Sequence, residues 1–317
     1  MKKTGIVLFV AALFIHPAPA FAQNDMTSAN EAMGFSRTLQ SPVASALGFS
    51  GKARTGDIAW ASALNAAMIP FSAEDVSVAL SYQRWAPSSD LTNVIGGGVG
   101  ARFGNVGVSL SGSARSGQAA SYEWIDADGF GHGVMTYQPK DWVVAAGAGV
   151  QVLDVLSFGL DLRYMGSKNV FMNTPLRTFG ADFFVATRFN GASLTAGIAN
   201  VGAPVKSTSG FEYDLPSSIA VAGGYENSFG AHGVGVWADL DYFTAVKGFT
   251  AAVGAQYAWK DFLFARAGYH YATTAACIPT FASAGLGVKY RGFALDLSYL
   301  ALSPLCGTLT LGLTYNL

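Results

Sequence analysis

Few residues of this chain have types and spacing that could do chemistry. Downstream of residue 22 the histidines are His132, His232 and His270, and the cysteines are Cys277 and Cys306. The sequence contains no G-x-S-x-G elbow, no H-E-x-x-H pair and no phosphate-binding Walker loop. Two cysteines with no histidine nearby supply too few ligands for a metal ion. We therefore expect a protein that is not an enzyme, with no catalytic residue, metal or cofactor; a serine–histidine pair around His270 is the alternative.

The charged residues recur in a more informative pattern. Where apolar and polar residues alternate, the charges occupy polar positions: Asp161, Arg163, Asp182, Arg188, Asp239, Asp241, Arg266 and Asp296. A period of two belongs to β-strands, whose successive side chains point to opposite faces. In a membrane barrel these charges must face the lumen, because a lipid-facing Arg or Lys at mid-depth costs roughly 2–4 kcal/mol. There they would either pair and fill the interior or line a gated polar path.

Composition favours a membrane protein that is not helical. Hydrophobic residues make up 51% of the 317 residues, and charged residues make up 12%, about half the share of a soluble domain. A chain with this share of hydrophobic residues is not expected to be disordered. Its 19 Lys and Arg against 20 Asp and Glu leave no basic excess for nucleic acid. Beyond residue 75 no apolar stretch reaches the roughly 20 residues of a spanning helix.

The first residues have the features of an export signal. Lys2 and Lys3 precede an apolar run over residues 6–15, and Ala20-Phe21-Ala22 has the small-x-small form of a cleavage site. We therefore expect a signal peptide over 1–22. The remaining chain divides into an N-terminal plug or hatch segment over 23–74, which we expect to plug the periplasmic mouth, and a barrel over 75–317.

The barrel region divides into fourteen alternating segments of about ten residues, which is typical of transmembrane β-barrels. They lie at 75–86, 91–103, 106–116, 140–152, 155–166, 177–188, 191–201, 216–226, 231–243, 248–258, 262–272, 281–290, 292–300 and 307–317. Short turns alternate with longer loops at 117–139, 167–176, 202–215 and 273–280. Outer-membrane barrels have this asymmetry, with short periplasmic turns and long external loops. The pattern predicts an all-β, fourteen-stranded antiparallel barrel surrounded by outer-membrane lipid.

Tyrosines provide an independent check on the strand assignment. Five lie near the ends of strands that would run outward and four near the ends of strands that would run inward: Tyr82, Tyr164, Tyr242, Tyr271 and Tyr299, then Tyr225, Tyr257, Tyr290 and Tyr315. All nine fall on the apolar face, as aromatic girdles at two membrane interfaces require.

The predicted external loops contain further candidate residues. Loop 117–139 carries Tyr122, Trp124, Phe130 and Tyr137, which could anchor either a lid or a partner protein. Cys277 and Cys306 would lie in the loops of neighbouring hairpins, so we expect them to form a disulfide in an oxidising compartment.

Three short motifs of the N-terminal segment resemble a known signature. Ala46-Leu47-Gly48, Gly56-Asp57 and Asn65-Ala66-Ala67 resemble the hatch signature of FadL-like outer-membrane proteins, in the PorV and PorQ branch associated with type IX secretion. The resemblance covers residues 37 to 71 and marks Gly48, Asp57, Asn65 and Ala67 as hatch residues. Gly56 stands where that branch has an acidic residue, and Ala66 where it has proline.

The resemblance implies two alternative functions. PorV relatives act with the secretion machinery and bind exported cargo, which implies a partner in protein secretion or surface attachment. FadL relatives instead transport hydrophobic molecules through a hatch and a side opening. A transporter needs an apolar pocket that meets the hatch and a break in the wall, whereas a docking protein needs an exposed apolar patch on its external loops.

Overall fold

A computed structural model describes residues 31–86, 91–125, 131–168, 175–206, 210–273, 278–303 and 306–317, without the side chains of residues 122, 124, 125, 131, 132, 135, 303 and 306. Its strands are, in chain order, β1 (Val76–Trp85), β2 (Thr92–Phe103), β3 (Val106–Ser116), β4 (Ala120–Ile125), β5 (Gly131–Tyr137), β6 (Lys140–Leu153), β7 (Leu156–Lys168), β8 (Leu176–Phe189), β9 (Ala192–Gly202), β10 (Val205–Lys206), β11 (Glu212–Tyr213), β12 (Ser218–Phe229), β13 (His232–Phe243), β14 (Gly248–Trp259), β15 (Leu263–Ala272), β16 (Phe281–Tyr290), β17 (Phe293–Ser303) and β18 (Cys306–Asn316).

Within these described ranges, fourteen of the strands close into one antiparallel barrel. Sequential neighbours pair around the ring, and β1 pairs with β18 to close it, from Ser77 opposite Asn316 to Arg84 opposite Leu309. The predicted fold class is confirmed. Strand ends differ from the sequence prediction by at most three residues, at the ends of β12 and β17.

Along each strand of the barrel, the apolar residues of the alternating pattern point outward and the residues between them point into the lumen. On β1, Leu80 is 63% exposed while its neighbour Ala79 is 1% exposed. Apolar residues on the outward face form a continuous belt that suits lipid. Seven of the nine tyrosines named above are at least 43% exposed, and Tyr164 and Tyr315 are partly exposed. They therefore lie on the outer surface, as the girdle prediction requires.

The strands are joined by short turns at one end of the barrel. At Asn190-Gly191 and Arg291-Gly292, both residues have positive φ (48° and 82°, then 49° and 84°). That geometry defines the tight turn that matches the twist of a hairpin. These turns lie at the end where β1 starts and β18 finishes, and the long connections lie at the other end.

Two of the long connections are more ordered than the sequence indicated. Residues 117–139, predicted as a loop, contain the hairpin β4–β5, and 202–215 contains the pair β10–β11. Ser121 and Thr136 pair across β4 and β5. β10 and β11 span two residues each, fewer than the roughly four residues over which alternation can identify a strand.

The N-terminal segment, residues 31–74 here, lies inside the barrel. It contains the 3-10 helices Gly34–Arg37, Ile58–Trp60 and Ala66–Phe71 and the short α-helices α1 (Pro42–Ala46) and α2 (Ala61–Leu64). None of the helices in the described part of the chain is long and apolar enough to cross a membrane. α1 begins where Ser41 caps it, with Pro42 in the first turn, a position where proline loses no hydrogen bond.

The segment runs the length of the lumen. At the long-loop end Glu31 bridges to Asp214 beside β11, and Met33 packs against Met165 and Leu215. At the other end the chain leaves the lumen at Asp75, whose N–H donates to the carbonyl of Leu317 at 3.0 Å. The segment therefore fills far more of the barrel than the plug of the periplasmic mouth that we expected.

Candidate functional site

The wall of the barrel holds the N-terminal segment through its backbone. Seven described side chains of the wall donate to carbonyl oxygens of the segment: Gln83 to Leu39 at 3.4 Å, Ser109 to Ala59 at 3.4 Å, Ser157 to Ala67, Arg163 to Ala63 at 3.2 Å, Arg188 to Phe71 at 3.0 Å, Ser193 to Ala53 and Ser283 to Ala46 at 2.9 Å. The short helices of the segment leave many backbone groups without helical partners. These wall side chains satisfy some of them, so the segment is part of the interior and not a loose insertion.

Lys52 is the strongest point of attachment. Its ammonium lies 2.7 Å from the carboxylate of Asp241 and 3.7 Å from that of Asp239 on β13. Asp239 also accepts from the backbone N–H groups of Gly51 and Lys52 at 3.2 and 3.0 Å.

The other predicted lumen charges also have partners, and all of them except the partly exposed Arg188 are buried. Arg163 is paired with Asp182, and Arg266 lies 2.5 Å from Asp296. The remaining members contact the segment or a neighbouring strand: Asp161 accepts from the Ala66 N–H at 3.3 Å, and Arg188 lies 3.7 Å from Glu226. Each of these charges therefore contacts a protein partner inside the barrel.

The four residues marked by the hatch motif lie at points of tight packing. Gly48 has φ of +72° and lies against the backbone of Tyr269 on β15. The Asp57 carboxylate accepts from the Ser41 hydroxyl at 2.6 Å and from Arg54 at 3.1 Å.

Asn65 and Ala67 lie deeper in the lumen. The Asn65 amide donates to the Lys52 carbonyl at 2.8 Å and to the Thr195 hydroxyl at 3.0 Å, and its oxygen accepts from the Ala67 N–H at 2.9 Å. Ala67 is fully buried and packs with Phe184. Among the contacts described, the four marked residues position the segment.

The two departures from the hatch signature have local explanations. Gly56 has φ of +82°, a left-handed conformation that glycine adopts more readily than a residue with a Cβ atom. Ala66 donates its backbone N–H to Asp161, and a proline at this position would have no N–H to donate.

The close approach of the N-terminal segment to the barrel wall depends on Gly268 of β15. A Cβ atom there would overlap the backbone of Leu47 and Gly48, and backbone cannot move aside cheaply. We expect Gly268→Val to lower the free energy of unfolding by about 3 kcal/mol, measured by urea unfolding in detergent micelles. The matched control is Gly223→Val on β12, where the nearest atom to an added Cβ is 3.8 Å away, and where we expect a change within about 0.5 kcal/mol. Equal losses in the two variants would contradict this account.

A cavity of about 80 Å³ remains between the segment and the outer half of the wall. Its apolar lining comes from both sides: Leu39, Phe49, Leu64, Phe243, Ala252 and Ile278. Arg37, Lys52 and Arg163 also line it, but each is paired with a carboxylate. The cavity therefore presents apolar surface with compensated charges, which suits a neutral molecule.

His270, for which the sequence left two interpretations, lines this cavity. Its ring stacks on Phe281 with centroids 4.9 Å apart, and its Nδ1 lies 3.3 Å from the Gly48 carbonyl. Of the side chains described, no serine hydroxyl is a hydrogen-bond partner of its ring nitrogens. The geometry matches a packed interior histidine.

A β-bulge interrupts the wall beside the cavity. Ala181 pairs with Val201 and Phe183 pairs with Ile198, so Asp182 faces both Ala199 and Asn200. Asn200 has φ of +53° and donates its N–H to Asp182 at 2.6 Å.

The same place is where pairing on the other side of β9 stops. The β9–β12 ladder ends at Ala199 opposite Ser218, and Ala199, Asn200 and Ser218 all line the cavity. An irregular part of the described wall therefore adjoins the cavity.

Sequence reasoning did not identify Lys52 or Asn200. The sequence nevertheless contains a signal for each residue. Lys52 is the first charged residue after a long uncharged stretch that starts at residue 38. On β9 the outward apolar residues are Leu194 and Ile198, then Val201, so the alternation changes phase where the bulge occurs. A charge within an apolar segment and a phase change within a strand are recognisable in sequence.

Several predicted sites lie outside what the structure describes. Phe130, Cys277 and the side chains of Tyr122, Trp124 and Cys306 are in this group, so the disulfide stays a prediction. Tyr137, the remaining loop anchor, is partly exposed on β5.

Solved structures similar to this chain share its architecture. The toluene transporter TbuX of Ralstonia pickettii superposes with a TM-score of 0.61 at 11% identity, over 87% of this chain and 97% of that one. The P. putida toluene transporter TodX gives 0.61 at 11% identity, over 87% and 98%. A Pseudomonas aeruginosa FadL homologue gives 0.54 at 12% identity, over 88% and 98%. The fold is FadL-like.

The FadL-like fold places the chain in the outer membrane, because it is a closed barrel with an apolar outer belt. No family model matches the sequence, and no curated protein matches it. The similar structures are transporters and channels, not enzymes.

Proposed function

We propose that this FadL-like protein is a passage for small, neutral, hydrophobic molecules across the outer membrane. The observation that carries the proposal is the cavity between the N-terminal segment and the wall, next to the bulge at Asn200. A concave, partly apolar pocket with a few polar groups is the usual form of a small-molecule site. TbuX, TodX and CymD, which share the fold, are respectively a toluene transporter, a toluene transporter and a monoaromatic hydrocarbon channel.

The size of the cavity implies that passage requires movement. At about 80 Å³ the cavity is smaller than the roughly 150 Å³ cavity that holds benzene in another protein. A monoaromatic molecule would fit only if the segment or its side chains shifted. The ion pairs at Lys52 and the wall-to-backbone hydrogen bonds would then hold the resting, closed state.

Filling the cavity should block transport. We expect Ala252→Leu, which places a branched side chain among Leu39, Phe49 and Ile278, to lower uptake of radiolabelled toluene to the rate of cells without the protein. Uptake is measured in intact cells at equal outer-membrane abundance of each variant. The matched control is Ala255→Leu, three residues along β14 on the lipid face, which should transport as the wild type does.

Two results would count against a passage for hydrophobic molecules. Uptake that is the same with and without the wild-type protein would remove the proposal. Uptake that Ala252→Leu and Ala255→Leu leave equally unchanged would move the route away from this cavity.

The secretion-partner function has less support than transport. It rests on the short hatch motif, whose marked residues position the segment, whereas the similar folds are those of hydrocarbon transporters. Recovery of secretion components with the protein purified from native membranes would favour the secretion role over transport.

A further inference from the structure

Three cations of neighbouring strands share one outward patch, which we name the basic rim: Lys140, Lys168 and Arg177. Lys140 begins β6, Lys168 ends β7, and Arg177 is the second residue of β8. All three are exposed, and by alternation they lie on the lipid face, in phase with Val144, Leu160 and Phe179. They lie at the long-loop end, which is the external end of an outer-membrane barrel.

The strand register brings the three charges together. Lys140 lies directly opposite Lys168, and Arg177 lies opposite Gly166, two residues from Lys168. Like charges directly opposite each other in an antiparallel pair are destabilising. An anion held between them would remove that repulsion.

No protein carboxylate within the described ranges neutralises the basic rim. Ion pairs of 4.0 Å or less involve other exposed cations, such as Lys206 with Glu212 and Lys289 with Asp261, but none of these three. The adjacent carboxylate of Asp141 faces the interior side and accepts from the Ser167 hydroxyl at 2.6 Å. The rim is therefore a concentrated positive patch on a lipid-facing surface.

Aromatic residues fix the depth of the patch in the membrane. The Trp142 ring lies over Gly166, and below it the rings of Tyr164 and Phe179 are 5.0 Å apart. Aromatic girdles lie at the level of lipid headgroups. The cations lie about two to four residues further along their strands, roughly 7–13 Å, where headgroup phosphates lie.

We propose that the basic rim binds the phosphate groups of a lipid A-type glycolipid in the outer leaflet. Lysine and arginine are the usual ligands of phosphate, and arginine can bind it with two parallel hydrogen bonds. Three strands span roughly 10 Å, which is wider than one phosphate. This width favours a lipid that carries two phosphates over a phospholipid that carries one.

The test compares lipid retention by the detergent-purified full-length protein, measured by native mass spectrometry. Wild type is incubated with lipid A bearing two phosphates, lipid A bearing one, phosphatidylglycerol and phosphatidylethanolamine. The variant is K140Q/K168Q/R177Q. The control is R84Q/K206Q/K247Q, which removes three exposed cations at the long-loop end but outside the rim.

We expect wild type to retain the lipid with two phosphates in preference to the other three. Each surface cation contributes about fivefold to binding of an anionic lipid, so the rim variant should bind it on the order of 100-fold more weakly. The control should bind as wild type does. Because these positions are exposed, both variants should keep the heat-dependent gel migration of a folded barrel.

Three results would overturn the proposal. They are equal retention of the four lipids by wild type, equal retention of phosphatidylglycerol and bisphosphorylated lipid A, and unchanged retention by the rim variant. None of these results bears on the transport of hydrophobic molecules, so failure of this proposal would leave the proposed function unaffected.

Discussion

Removing residues 24–73 is expected to turn the barrel into an open aqueous pore. The N-terminal segment fills the lumen from Met33 at one end to Phe71 at the other. The strands pair around a closed ring that includes β1 with β18 and needs no residue of the segment. Eight strands enclose just enough space for side chains, and barrels of sixteen to eighteen leave a channel, so fourteen emptied strands should leave a passage lined by Asp161, Arg163 and their neighbours.

The measurement is single-channel conductance in planar lipid bilayers. Wild type should show no stable conductance steps, and the deletion variant should show steps that persist. Heat-dependent gel migration first establishes that the variant has folded. A folded deletion variant that does not conduct would contradict the account, because it would mean that the wall or the external loops close the lumen without the segment.

Loss of the Asp239 carboxylate should have the largest effect among single substitutions. Asp239→Leu leaves two backbone N–H groups, those of Gly51 and Lys52, without their acceptor, and it leaves the Lys52 ammonium, on a side chain 18% exposed, with Asp241 alone. Breaking a buried ion pair by removing one partner costs about 3–5 kcal/mol. We expect a decrease of that size in the free energy of unfolding, measured with urea in micelles.

An exposed ion pair supplies the control for this substitution. Glu212, with a side chain 54% exposed, lies 2.8 Å from Lys206, and exposed pairs contribute at most about 1 kcal/mol. We therefore expect Glu212→Leu to change the free energy of unfolding by at most about 1 kcal/mol. If Asp239→Leu costs no more than Glu212→Leu, the Lys52 contacts do not hold the segment.

The Asp239→Leu variant that does fold also tests whether the stability of the protein and its rate of transport are linked. If the segment must move to admit a ligand, weaker attachment should favour the open state. Toluene uptake per folded molecule should therefore rise while stability falls. Uptake per folded molecule that stays unchanged or falls would contradict this link between attachment of the segment and opening.

The sequence alone determined the strands and their faces. Alternation such as Leu309, Leu311 and Leu313 against Thr310 and Gly312 depends only on successive residues, because a strand turns neighbouring side chains to opposite sides. Fourteen such segments with alternating short and long connections are enough to imply a closed barrel. Inward polar residues and outward tyrosines follow from the same local rule.

Only the tertiary structure decided what lies inside the barrel. Asp239 and Lys52 are 187 residues apart in sequence, and the pairing of Arg163 on β7 with Asp182 on β8 depends on the register of these two strands, so no local pattern reveals either partnership. The course of the N-terminal segment also depends on contacts between residues that are distant in sequence, because its short helices are held by side chains from many strands. Local alternation fixes which face a residue occupies; closure of the ring fixes which residues meet across the lumen, and with them the cavity.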